Sequence, residues 1–276
     1  MKAFFILFLL SPIFANAFTL NNNFEASFAD NEVKVSVDRN TSCANAGMTV
    51  YELTDLVKPA VNKFWNTVPT SALELKSSGF TGPIDNISSA TGRLCPPTDD
   101  ECIAEAGSDL IPPVKDIVIA CSQNQDNFGE ANVLAVTVPN NFSGKKIKGA
   151  VILINNFSTD FARLSRSDRI SVIAHEIGHA IGLGHAKDKS ALMYYRTVKL
   201  RKALGQDDVD GVSYLYPIHI DGCGAFGGLF GGTISTDKND KGGNFPYWPM
   251  VISFMAMIAI FEMLKAMKNS RLSFRF

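Results

Sequence analysis

The stretch His175-Glu176-Ile177-Gly178-His179-Ala180-Ile181-Gly182-Leu183-Gly184-His185 constrains this chain more than any other, because it holds three of the four histidines at spacings that suit one metal ion. On a helix His175 and His179 lie one turn apart, so both imidazoles leave the same face. Glycine can take the positive φ that ends a helix. Gly182 is therefore the predicted stop, and the turn behind it can return His185 as a third ligand. Three neutral nitrogens with one open position describe a catalytic zinc site rather than a closed structural one. Glu176, beside the first ligand, is placed to reach water at the metal instead of the metal itself. The five fixed positions of this pattern should arise by accident in a chain of 276 residues only about once in ten thousand sequences.

The spacing H-E-x-x-H-x-x-G-x-x-H resembles the zinc signature of the metzincin peptidases, in which a methionine turn follows. Met193, in Ala191-Leu192-Met193-Tyr194-Tyr195, falls where that turn would set a methionine beneath the metal, although an isolated methionine is more often core filling. The run Leu204-Gly205-Gln206-Asp207-Asp208-Val209-Asp210-Gly211-Val212-Ser213-Tyr214-Leu215-Tyr216 resembles the closing helix of the matrixins, the metzincin branch that contains the matrix metalloproteinases. The resemblance covers residues 30–217, with its specific motifs at the C-terminal end of that range. It implies an α+β fold, with a mixed five-stranded sheet, long helices and a zinc cleft. It also implies a zinc-dependent endopeptidase acting on an extended peptide or protein. His175, His179 and His185 would hold one zinc ion, and Glu176 would serve as general base and then acid. The non-enzymatic alternative is a surface adhesion or binding module that keeps the metal as a scaffold.

This chain departs from the matrixin pattern in three places. Several metzincin branches carry, two residues after the turn methionine, a tyrosine that approaches the zinc, where matrixins usually have proline. The resemblance thus offers Tyr195 as a transition-state donor, with packing as a pocket wall as the alternative. The matrixin latency run of proline, arginine, cysteine and glycine has no match before the first strand. Arg93-Leu94-Cys95-Pro96 is a partial likeness that lacks the glycine and lies inside the expected catalytic domain. The histidines of a second, structural zinc are also absent, since only His219 remains. Loops rich in Asp and Asn could take calcium, but no twelve-residue calcium loop supports it.

Outside the site, the N-terminus reads as an export signal over 1–17: Met1-Lys2, an apolar run from Phe4 to Ile13, and Ala15-Asn16-Ala17 as a small-x-small cleavage site. An oxidising compartment suits the cysteines. Cys43, Cys95, Cys102 and Cys121 precede the zinc helix, an even set with three pairings open to it. Close spacing favours Cys95 with Cys102 as a local staple, which leaves Cys43 with Cys121; zinc binding by these cysteines is the competing reading, but no C-x-x-C spacing supports it. With 26 basic against 27 acidic side chains the chain has no footprint for nucleic acid. At 46% hydrophobic it has enough apolar material for one good core with appendages.

Residues 18–217 read as the catalytic domain. Val33, Val35 and Val37 alternate as a half-buried strand within Asn31 to Asp38. Apolar residues at helical spacing from Val50 to Val68 predict a long first helix, with Pro59 against an unbroken one. Residues 77–113, rich in Gly, Pro, Ser and Asp, predict a long surface segment held by the Cys95 staple. Strand character marks Asp116–Ala120, Asn132–Val138 and Gly149–Asn155, followed by the zinc helix over Ser167–Ile181 with Ser165 or Ser167 as its cap. In peptidases of the resembled kind the strand before the zinc helix pairs with substrate at the sheet edge. Gly149–Asn155 is read either as that edge or as a core strand.

Past Pro217 the composition changes. Residues 218–244 form a Gly-rich linker containing Cys223, residues 245–264 a transmembrane or sorting helix, and residues 265–276 a basic tail. Tyr247 and Trp248 suit one membrane interface, and Lys265, Lys268, Arg271 and Arg275 suit the cytoplasmic one. A peripheral amphipathic helix is the alternative, because Pro249 and Glu262 shorten the clean span. The tail also resembles C-terminal sorting signals of bacterial envelope proteins, with Cys223 as candidate processing site. The expectation is an exported protein, held at the membrane with its catalytic domain outside the cytoplasm, or released or surface-sorted by processing.

Overall fold

A computed structural model describes residues 18–21, 25–130, 132–196 and 201–218. The predicted signal peptide, Cys223, the linker beyond Ile218, the helix 245–264 and the basic tail all lie outside the described residues. Among the described residues no helix is long and apolar enough to cross a membrane.

One mixed sheet organises the domain. Its strands are β1 (Ser27–Phe28), β2 (Glu32–Asp38), β3 (Glu74–Thr81), β4 (Asp116–Ser122), β5 (Ala135–Ser143) and β6 (Lys146–Asn155). Across the sheet the order is β3-β2-β4-β6-β5, with all neighbours parallel except the antiparallel β5–β6 pair. Among the described residues the sheet has six strands rather than the expected five, because the two-residue β1 adds a short parallel pairing to Lys146 and Ile147 at the foot of β6.

Burial explains the order. In β2, Val33, Val35 and Val37 are buried while Glu32 and Lys34 face solvent, as the alternation predicts. β4 and β6 are continuous apolar runs and occupy the centre, covered on both faces. Ile117, Ile119, Ala150, Ile152 and Ile154 face the main core under the helices. Val118, Ala120, Val151 and Leu153 face a second core with Ile87, Leu94, Ile111, Val114 and Phe128. The edge reading of Gly149–Asn155 is therefore corrected. β6 is paired on both sides, and β5 lies at the margin next to it, with β3 at the opposite margin.

Two further expectations change. Residues 77–113 are not simply a surface segment. They contain most of β3 and the helix α2 (Asp100–Ala106), and they supply Ile87, Leu94 and Ile111 to the second core. β3 escapes a reading by periodicity because it is a polar margin strand in which only Leu75 is buried. The first helix, α1 (Val50–Asn62), ends earlier than Val68, and Trp65–Thr67 forms a separate 3-10 turn. Its start is a capping box in which Thr49 and Glu52 bond each other's backbone N–H. Pro59 sits in its last turn without breaking it. The missing proline donor would have bonded the Asp55 carbonyl, which instead accepts from the Arg166 guanidinium at 3.4 Å.

Candidate active site

The zinc-signature helix is α3 (Arg166–Ala180), capped by Ser165, whose hydroxyl accepts from the Asp168 N–H at 3.2 Å. It lies in the main core: Ile170, Val172, Ile173, Ala174 and Ile177 are all buried. Trp65 donates its indole N–H to the Ala174 carbonyl at 2.8 Å and anchors the helix one residue before His175. The helix stops where glycine was expected to stop it, with Gly182 at φ +108°. A side chain there would strike the Ala26 carbonyl, 2.4 Å from an ideal Cβ.

The turn after Gly182 carries His185 back over the end of α3. The ring nitrogens of His175, His179 and His185 available for a ligand lie within 4.8 Å of one another, and Nε2 of His179 is 3.2 Å from Nε2 of His185. Nδ1 of His175 faces the Leu192 carbonyl at 2.8 Å, and Nδ1 of His179 faces the Leu183 carbonyl at the same distance. A carbonyl only accepts, so each Nδ1 carries the proton and each Nε2 keeps its lone pair. Burial, foremost, lowers His175 and His179 to about 4, and it lowers His185 as well. Neutral imidazoles with oriented lone pairs are the form that binds zinc. Nitrogens on one tetrahedral zinc stand about 3.3 Å apart for bonds of about 2.0 Å, which the His179–His185 pair matches. Burial falls from His175 through His179 to the exposed His185, so the trio opens to solvent on one side.

Glu176 is only 7% exposed. Its carboxylate accepts from the Thr137 hydroxyl at 2.6 Å. Burial raises its pKa, while the proximity of His179 and the Thr137 bond act the other way. Sequence reading missed Thr137, for which no motif exists. The only signal was alternation in β5, where Ala135 packs into the core beneath α3 while Val136 and Val138 pack against the second core.

Met193 is buried beneath α3. An ideal Cβ on Gly178 would lie 2.3 Å from its sulfur and 2.7 Å from the Trp65 ring, so the helix needs glycine between His175 and His179. The turn is tied from both sides. Ala186 N–H bonds the Met193 carbonyl at 2.7 Å. The buried Asp208 carboxylate, on α4 (Gln206–Leu215), accepts from the N–H groups of Leu192, Met193 and Gly205. Tyr216 closes the helix with its hydroxyl, donating to the Ile181 carbonyl at 2.8 Å and accepting from Phe28 N–H at 3.0 Å. Residues 18–21 brace the His185 turn. Thr19 bonds the carbonyl of His185 and accepts from Gly184 N–H, and Asn21 bonds the carbonyl of Gly182. Sequence reading gave none of Asp208, Thr19 or Asn21 a role.

Tyr195 is 55% exposed, its ring against Tyr194 and beneath the Arg196 guanidinium. The cysteines pair as Cys43–Cys121 and Cys95–Cys102. Cys95 is thereby committed to a disulfide.

Residues 116–217 match the family described as matrixin, Peptidase_M10. The chain is 37% identical over 79 residues to matrix metalloproteinase-27 of Tupaia belangeri, covering 28% of this chain and 13% of that protein. It is 49% identical over 59 residues to metalloendoproteinase 1 of Glycine max, covering 20% and 19%. It is 51% identical over 49 residues to stromelysin-1 of Equus caballus, covering 16% and 10%. The chain thus spans less than a fifth of the length of each of these relatives.

Proposed function

We propose that this chain, matrixin-like over residues 116–217, is a zinc-dependent endopeptidase that cleaves extracellular or envelope proteins. The observation that carries the reading is the convergence of three imidazoles on one point, next to a buried glutamate that is not part of the metal-capable group. His175, His179 and His185 would hold the ion. When bound, zinc supplies Lewis acidity, drawing the pKa of water toward 7 and polarising a carbonyl. Glu176 takes the proton of the attacking water and delivers it to the amine nitrogen as the C–N bond breaks. Its burial raises its proton affinity, which suits a group that must accept a proton and then give it up. An adhesion module that keeps the ion as a scaffold has no use for such a carboxylate.

β5 supports an extended peptide as substrate. Among the described strands it pairs only with β6, and an extended peptide would add main-chain hydrogen bonds along its other edge at residues 135–138. Tyr195 donates to the developing oxyanion in this reading, and unchanged turnover in Tyr195→Phe removes it from the mechanism. Two disulfides and the N-terminal segment support export. The segment 245–264 anchors the protein with the catalytic domain outside the cytoplasm. Mass spectrometry of the native C-terminus tests this, because a chain ending at Cys223 would be a processed one.

The purified full chain, incubated with a diverse peptide library, tests the activity. Hydrolysis should stop with a chelator and return with zinc. Glu176→Ala should keep one zinc per chain and lose about 10²- to 10⁴-fold in turnover. Hydrolysis that survives the chelator, or Glu176→Ala at full rate, would overturn the assignment.

A further inference from the structure

We infer that Thr137 is a positioning residue for this reaction, its hydroxyl holding the Glu176 carboxylate in the orientation from which it handles the water proton. The inference deepens the peptidase reading and rests on it.

The geometry begins with hydrogen-bond supply. Thr137 Oγ1 lies 2.6 Å from Glu176 Oε2 and 3.2 Å from the Glu176 carbonyl. A hydroxyl has one hydrogen, and the shorter, charge-assisted bond to the carboxylate takes it. Glu176 is buried, and a glutamate has three side-chain torsions to settle, so a fixed donor decides where its oxygens point. Thr137 is suited to be that donor. Its β-branched side chain is stiff at χ1, and its backbone is held in the β5–β6 ladder opposite Ile152. The carboxylate therefore takes its direction from the sheet and not only from its own helix.

The placement has a second consequence. β5 is the margin strand offered to an extended peptide, so one rigid element both receives substrate and aims the base. Misplacing a reacting group by about 1 Å can cost on the order of 100-fold, whereas substrate affinity depends on main-chain pairing that the Thr137 hydroxyl does not make.

Thr137→Val keeps the shape and removes the hydroxyl, and Thr137→Ser restores it. In the zinc-loaded full chain, Thr137→Val should lower kcat by on the order of 10- to 100-fold, with KM within about two-fold and one zinc per chain retained. Thr137→Ser should recover most of the rate. In a Glu176→Ala background Thr137→Val should change the residual rate no further, because the two act as one unit. If Thr137→Val does not fold, Thr137→Ala is the second hydroxyl-free variant and carries the same expectation. Full kcat in a hydroxyl-free variant, a loss that falls on KM or zinc content, or a Ser variant as slow as Val overturns the inference while the peptidase reading stands. A wild-type chain without chelator-sensitive hydrolysis overturns both.

Discussion

At the scale of single residues, the histidine trio behaves as its burial dictates. His175 and His179 are lowered to about 4, against 6.5 for the unfolded chain, because charging an imidazole inside the core costs solvation. As pH falls the unfolded chain takes up these protons first. The contribution of the two neutral rings is therefore whole above about 6.5 and is lost as pH falls from there toward 4. Stripped of zinc by a chelator, the protein should show a melting temperature that declines steadily over that window. The total should be on the order of a few kcal/mol, and a variant with both histidines changed to glutamine should show a flatter profile. A profile left unchanged by those two substitutions would contradict the burial of these rings. The candidate ligands His175 and His179 and the neighbouring Glu176 are legible in the sequence because helix geometry alone relates positions 175, 176 and 179, and His185 is legible through the glycine turn at Gly182. Thr137 is not, since its partner lies 39 residues away on another element.

At the scale of elements, α4 fastens the turn that carries Met193. Asp208 is 2% exposed, and its two oxygens accept three backbone N–H groups, at 2.5 Å from Leu192, 3.0 Å from Met193 and 2.8 Å from Gly205. The Leu192 carbonyl then orients His175. In Asp208→Asn an amide nitrogen replaces one of these oxygens and at least one buried N–H loses its acceptor. This should cost about 1–3 kcal/mol of stability and weaken zinc binding through the displaced His175 ring. Thermal melts and zinc titration check both; an unaltered zinc affinity would sever the link from α4 to the site. The closing helix was visible as a motif, but its function as a clamp was not. Hydrophobic periodicity reports which face of an element is buried, not which backbone groups a carboxylate will meet there. For the same reason the sequence shows β6 as a strand but leaves edge and core equally open, and the sheet order settles it as core.

At the scale of the whole molecule, the two disulfides do different amounts of stabilising. Cys43–Cys121 closes a loop with a sequence separation of 78 and joins the segment before α1 to the central strand β4, whereas Cys95–Cys102 closes one of 7. By loop-closure entropy the first is worth about 4.5 kcal/mol and the second about 2.4 kcal/mol. Replacing the Cys43–Cys121 pair by alanines should therefore lower stability to denaturant by about 2 kcal/mol more than replacing the other pair. Equal losses would show that loop closure is not what governs them. The pairing followed from spacing along the chain. By itself the sequence determined whatever depends on neighbours along the chain: the face of α3 that His175 and His179 share, the glycine that ends it, the buried alternation of β2 and the short disulfide. The tertiary structure alone decided that β5 and not β6 holds the margin, that Thr137 reaches Glu176, and that Asp208 fastens the turn beneath the histidines. Those facts follow from how the elements stack in the sheet and its two cores, and contacts between distant segments leave no period in the sequence to read.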